Sequence, residues 1–206
     1  MFAGVQHIPL EGGGLDYYSE YVPHPEVLFA ALRDGINWQQ PLVTVYGRQH
    51  VTPRLVSFVG NPGLRYQYSG LSHATEPWPD SLQCLRDQVQ RDTAYDFNCA
   101  LLNYYRDGND CMGYHSDDEP ELGVSPCIAS VSLGAERDFC FKPKVGGGKM
   151  QKLCLGSGSL LVMLPPTQQH WQHALPVRRG VVQGRINITF RNLVTTGNEL
   201  ASSEIK

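Results

Sequence analysis

The sequence predicts a single, mainly β domain with flanking helices, built as an antiparallel sandwich or jelly roll. Three observations carry this expectation. Short strand-like runs follow one another closely from residue 97, their connections are rich in glycine (Gly146-Gly147-Gly148 and Gly156-Ser157-Gly158), and only two helical patterns stand out, both in the first half. The 206 residues suffice for one full-sized domain, and no repeat, low-complexity segment or linker divides 1–206.

The first helix is expected from Pro25 to Asp34, with Val27, Leu28, Ala31 and Leu32 on one face, proline at its start and Gly35 just past its end. A second begins near Pro79-Asp80 and carries Leu82, Leu85 and Val89 on one face. Between them, residues 41–70 hold Gly, Pro and Tyr in short alternating runs, which reads as hairpins and loops. Strands are expected at 97–105, 127–134, 137–144, 149–155, 158–164 and 185–193.

Composition narrows the function classes. Hydrophobic residues make up 41% and charged residues 18%, the balance of a folded globular chain rather than a disordered one. No run approaches the roughly 18 apolar residues that span a bilayer, and the first residues lack the basic start and apolar core of a secretory signal. A protein without membrane contact, retained inside the cell, is expected. Cysteines 84, 99, 111, 127, 140 and 154 are scattered singly, which suits reduced thiols rather than a disulfide framework or a zinc cluster. A net charge of −3 argues against a basic coat for nucleic acid but leaves room for a local basic patch.

His115-Ser116-Asp117 places an imidazole and a carboxylate two residues apart. On an extended backbone both point to the same side and can meet one ion. Two histidines and one carboxylate suit Fe(II) and leave coordination positions open on one face. The third ligand must come from afar, and His170 and His173 both follow the strand that ends at Leu164. Three residues apart, they would point to opposite sides of a strand, and the sequence does not choose between them.

The segment Arg185-Ile186-Asn187-Ile188-Thr189-Phe190-Arg191 puts Arg185, Asn187, Thr189 and Arg191 on one face and apolar residues on the other. Its bland reading is an amphipathic strand with a solvated face. Two guanidinium groups, roughly 20 Å apart at Cα on an extended strand, are also suited to gripping both ends of a small dicarboxylate. Asn103 and Tyr105, again two apart, could add hydrogen bonds from a neighbouring strand.

In this order, Asn103-Tyr104-Tyr105, His115-x-Asp117, His173 and Arg185-x-Asn187-x-Thr189-x-Arg191 resemble the AlkB family of Fe(II)/2-oxoglutarate dioxygenases, which oxidatively demethylate nucleic-acid bases. The likeness runs from about residue 41 to 193. It implies a double-stranded β-helix with an N-terminal nucleotide-recognition lid at about 41–75 and a jelly-roll catalytic core at about 97–193. It implies Fe(II) as metal, 2-oxoglutarate and O2 as co-substrates, and His115, Asp117 and His173 as ligands. It makes Asn103, Tyr105, Arg185, Asn187, Thr189 and Arg191 the 2-oxoglutarate site, with Arg191 near the chelating end and Arg185 at the far carboxylate.

Within the family the chain is most similar to the duplex-DNA-repairing mammalian branch. Val45-Tyr46-Gly47-Arg48 resembles that branch's wedging hairpin, with Tyr46 where the branch has Phe, and Tyr66-Gln67-Tyr68 resembles its flipped-base pocket. Substrate contacts are thus expected at Tyr46, Gly47, Arg48, Tyr66 and Tyr68, with Asp118 and Glu119 favouring a cationic methylated base. Arg54, Arg178 and Arg179 are expected phosphate contacts. The implied function is repair of DNA carrying 1-methyladenine or 3-methylcytosine type lesions, duplex or single-stranded. RNA or a protein substrate is the alternative. A monomer is expected, in a bacterial cytoplasm, or in the nucleus if eukaryotic.

Overall fold

Alternating apolar side chains set most of the observed strands. The computed structural model of the chain describes residues 4–45, 48–68, 71–146 and 148–194, and of 43–45, 48, 65–68 and 71–74 it describes the backbone alone. In chain order these form β1 (Gln6–Leu10), β2 (Gly13–Tyr18), α1 (Pro25–Gly35), β3 (Leu42–Val45), β4 (Arg48–Val51), β5 (Leu55–Gly60), β6 (Arg65–Tyr68), β7 (Leu71–Ala74) and α2 (Asp80–Thr93). The second half contributes β8 (Cys99–Tyr105), β9 (Met112–His115), a 3-10 turn (Pro120–Leu122), β10 (Ile128–Gly134), β11 (Arg137–Pro143), β12 (Gln151–Leu155), β13 (Ser159–Leu164), α3 (Thr167–His170), β14 (Trp171–Leu175) and β15 (Arg185–Arg191).

One antiparallel sheet runs β1-β2-β13-β10-β15-β8-β5, and a second runs β12-β11-β14-β9. The hairpins β3–β4 and β6–β7 stand apart as two-stranded sheets. This is the expected jelly roll, with one difference in extent. The large sheet also takes in β1, β2 and β5, so the core is not confined to about 97–193. Short N-terminal strands around Pro9 and Gly12-Gly13 carry too little period-2 pattern to read from sequence, and pairing β2 with β13 is what makes them strands.

Two apolar layers result. Leu101, Ile128, Phe141, Leu155, Leu161, Met163 and Trp171 form the layer that joins the two sheets. Leu32, Leu82, Leu85 and Val89 from the helices pack with Leu102, Val131, Ile188 and Phe190 on the other side of the large sheet. The expected face of α2 is the buried one. For α1 the expectation needs correction: Val27 is 65% exposed, whereas Leu28, Phe29 and Leu32 meet the core. The stripe that packs includes Phe29, whose ring meets Tyr104 edge-on. Truncating Leu82, which is fully buried, removes contacts on both sides. Leu82→Ala is expected to lower unfolding stability by about 2–5 kcal/mol in a urea titration, with an unchanged denaturant slope.

No helix among the described residues is long and apolar enough to cross a membrane. Two loops, 106–111 and 176–184, are joined by backbone hydrogen bonds. Gly108 donates to the Val181 carbonyl at 2.7 Å and accepts from the Arg178 amide at 2.7 Å. A Cβ at Gly108 would lie 1.9 Å from the Arg178 carbonyl oxygen, so only glycine permits this approach. Gly108→Ala is therefore expected to part the two loops. Faster proteolysis within 176–184, at unchanged far-ultraviolet circular dichroism, is the measurement that checks it.

Candidate metal centre

The site is assembled between the two sheets. β9 ends at His115, and Asp117 follows after one residue whose hydroxyl donates to the Trp171 carbonyl at 2.9 Å. His173 lies on β14 directly opposite His115, and their rings meet edge-on with centroids 4.3 Å apart. His115, Asp117 and His173 each offer a ligand atom, all within 4.8 Å of one another. His170 goes elsewhere. It is exposed at the end of α3, and its ring packs on the backbone of Gly12. The one-turn helix α3 breaks the extended run that the sequence pattern implied, and it aims the two histidines apart.

These groups are prepared for a cation. The Oδ1 atom of Asp117 accepts from Arg191 Nη2 at 2.6 Å, while Oδ2 is buried without a hydrogen-bond donor. Burial alone would raise the Asp117 carboxyl. Arg191 and the two imidazoles override it and hold the group at about 2, so the carboxylate is ionised. Burial, helped by His115, pushes His173 down to about 3, which keeps its imidazole neutral and its lone pair available. His115 Nδ1 lies 2.9 Å from the Gly113 carbonyl, and donation there leaves Nε2 as the ligand atom. An ionised carboxylate with an open oxygen, the neutral imidazole of His173 and the ring of His115 fit a divalent metal with room for further ligands.

The strand β15 is buried along its whole length. Its polar face is not solvated, and it looks into the space between the sheets. Asn187 stands opposite Asn103, Arg185 opposite Tyr105, and Thr189 opposite Leu101. A small cavity of about 30 Å³ is lined by Asn103, Tyr105, Asn187, Thr189 and Arg191 together with the three metal-site residues. Thr189 donates to Asn187 Oδ1 at 2.9 Å, and Asn187 Nδ2 donates to Ser130 Oγ at 2.7 Å and to the Val131 carbonyl. Arg185, only 1% exposed, donates to Ser132 Oγ and lies 5.4 Å from the centroid of the Tyr105 ring. Among the described residues no carboxylate pairs with it, and burial drives its guanidinium down to about 10.

Several expected substrate contacts are placed differently. Arg54 is 4% exposed and donates through Nε to Asn103 Oδ1 at 2.6 Å, which turns it inward, away from any phosphate. The turn that precedes it is held by backbone bonds from Thr52 to the Pro41 carbonyl and from Cys111 to the Pro53 carbonyl. Asp118 points outward into a recess of about 510 Å³, where Lys144 Nζ takes its carboxylate at 2.7 Å. Glu119 is half-buried, and Arg178 and Arg179 are exposed, with Arg178 3.7 Å from Asp138. Tyr46 and Gly47 lie outside the described residues, as do the side chains of Arg48, Tyr66 and Tyr68.

Sequence reading missed Phe139, whose ring tilts over His173 at 5.2 Å, and Gln168, whose Oε1 accepts from the Asp117 amide at 3.0 Å. It also missed Arg137. The period-2 pattern Arg137, Phe139, Phe141 could have flagged all three inward positions of β11.

A family model described as the 2OG-Fe(II) oxygenase superfamily matches residues 21–191. The DNA oxidative demethylase ALKBH2 of Mus musculus is 45% identical over 202 residues, which cover 93% of this chain and 84% of the mouse protein. The Homo sapiens protein of that name is 45% identical over 161 residues, 75% of this chain and 62% of its own. The alpha-ketoglutarate-dependent dioxygenase alkB homolog 3 of Mus musculus is 34% identical over 204 residues, 92% of this chain and 71% of its own. Among solved structures, that of OsALKBH1 superposes with a TM-score of 0.64 at 16% identity, covering 91% of this chain and 100% of that one, a likeness of fold. Sequence relatives and site chemistry converge, and this chain belongs to the AlkB branch of the 2OG-Fe(II) oxygenase superfamily, enzymes that work with Fe(II), 2-oxoglutarate and O2.

Proposed function

We propose that this enzyme repairs alkylated DNA by oxidatively demethylating bases of the 1-methyladenine and 3-methylcytosine type. 2-Oxoglutarate and O2 become succinate and CO2, and the methyl carbon, hydroxylated, leaves as formaldehyde while the ring nitrogen regains its lone pair. The observation that carries the reading is Arg185, a buried guanidinium with no acidic partner among the described residues, on the inward face of the strand that also carries Arg191, the partner of Asp117. A lone buried cation is costly, and a dicarboxylate co-substrate supplies its counter-charge. DNA as the substrate is supported by the likeness to the mouse DNA oxidative demethylase ALKBH2.

His115, Asp117 and His173 would hold the Fe(II), which, with 2-oxoglutarate and O2, supplies the two-electron oxidation of a methyl C–H bond. The chain's own residues orient and shield. Arg191 fixes the Asp117 carboxylate and approaches the chelating end of the co-substrate, and Arg185 takes the far carboxylate beside Tyr105. Because Arg54 occupies Asn103 Oδ1, Asn103 is left to donate through Nδ2. Asn187 and Thr189 hold each other and complete the wall.

A base stacked in a duplex does not reach a metal between two sheets, so the target is extruded. Tyr46, Gly47 and Arg48, with Tyr66 and Tyr68, are assigned to wedging and stacking, where a base–aromatic contact contributes about 1–3 kcal/mol. Glu119 is assigned to the positive charge of the methylated base, a role Asp118 gives up to Lys144. Arg178 and Arg179 are assigned to phosphates. The enzyme works as a monomer where DNA is exposed to alkylation, the bacterial cytoplasm or a nucleus.

The test is formaldehyde release from a duplex oligonucleotide carrying 1-methyladenine, in air and under anaerobic conditions, with and without iron and 2-oxoglutarate. Formaldehyde and succinate are expected in equal amounts only when all components are present. Faster turnover on methylated RNA than on either duplex or single-stranded DNA would move the assignment to RNA.

A further inference from the structure

We propose that Arg137 is a third cationic residue serving the co-substrate site, behind Arg185 and Arg191, a positioning residue that acts through Tyr105 and Arg185 to favour ligands with a distal carboxylate. The proposal rests on the reading that Arg185 binds that carboxylate. Arg137 opens β11 and is 1% exposed. Its Nη1 donates to the Asp107 carbonyl at 3.1 Å, and Nη2 donates to those of Asp110 at 3.0 Å and Pro176 at 2.7 Å. Its Nε is buried without a partner.

Two features argue for more than a staple. First, the charge is not neutralised. Among the described residues no carboxylate forms an ion pair with Arg137, and the nearby Asp110 carboxylate is taken by Arg106 through Nε at 2.8 Å and Nη2 at 2.9 Å. Second, Arg137 and Arg185 share one aromatic ring. Their Cζ atoms lie 6.0 Å and 5.4 Å from the centroid of Tyr105. Burial holds both guanidinium groups below the usual arginine range, and the positive charge of Arg137 lowers Arg185 further. A fold that required only three donors to carbonyls would not need two buried positive charges side by side. A carboxylate that pairs with Arg185 offsets the repulsion from Arg137, whereas a ligand without one leaves it. The same three bonds tie loop 106–111, which follows Tyr105, to loop 176–184, which precedes Arg185, so both residues are held in register.

The experiment is calorimetric binding to the Fe(II)-loaded protein without oxygen, comparing 2-oxoglutarate with 2-oxopentanoate, which lacks the distal carboxylate. In Arg137→Met the affinity for 2-oxoglutarate is expected to fall about tenfold, with 2-oxopentanoate changed less than about twofold. Arg137→Lys, which keeps a charge, is expected to retain the preference within about threefold although it melts lower. Should Arg137→Met not fold, Arg137→Gln carries the same expectation. A preference unchanged in the uncharged variant, with only the melting temperature lowered, makes Arg137 a structural staple and overturns the proposal. A wild type that binds neither acid overturns the reading of Arg185 as well.

Discussion

Asp117→Ala is expected to release no measurable formaldehyde at any iron concentration. The loss should exceed the roughly 10–100-fold that follows when only a neighbour of a metal ligand is removed. Asp117 is 2% exposed, ionised, and has one oxygen committed to Arg191 and the other open toward His173 Nε2, 3.8 Å away. Removing it subtracts the sole negative charge of the cluster and also the carboxylate against which Arg191 is set. Two consequences separate this from simple unfolding. Equilibrium dialysis should show iron binding lost, and the far-ultraviolet spectrum should be preserved, because both sheets are held by backbone ladders that do not pass through residue 117. Retained iron with retained activity would show that the metal sits elsewhere.

Arg185→Met is expected to separate function from stability in opposite directions. Each charge-assisted hydrogen bond to a carboxylate contributes about 1.5–3 kcal/mol, so loss of a two-pronged contact should raise the KM for 2-oxoglutarate by roughly 10²-fold or more. In the absence of co-substrate the same guanidinium is a buried cation with one hydroxyl partner, Ser132. Exchanging it for an apolar side chain of similar reach is expected to leave the apo protein as stable as wild type or more so, which a melting curve reads directly. A fall in both affinity and apo stability would mean that Arg185 is a scaffold residue.

Much of this was legible in the chain. The strands 97–105, 127–134, 137–144 and 158–164 lie within a residue or two of the observed β8, β10, β11 and β13, because β8, β10 and β13 are apolar runs buried almost throughout and β11 is an alternating run buried on one side. The His115/Asp117 pair was readable because i and i+2 share a side on an extended backbone. Other elements were not. β9 and β14 are short, and they are strands through pairing, β14 with β11 and β9 with β14. β1 and β2 depend on an edge supplied by β13. Arg54 looked like a surface cation, since a sequence window gives charge without burial.

The sequence by itself determined the period of the strands, the helix face of Leu82, Leu85 and Val89, and the inventory of ligands: a carboxylate, imidazoles and two arginines in alternate positions of one strand. Tertiary structure decided which histidine joined the metal cluster, because a single helical turn at Thr167–His170 rotates the backbone between His170 and His173. It also decided that the polar face of β15 is dry and that Arg54, Arg137 and Arg185 are interior charges. Burial is a property of what closes over a residue, and here the closing segments lie up to about a hundred positions away in the chain, beyond the reach of any local pattern.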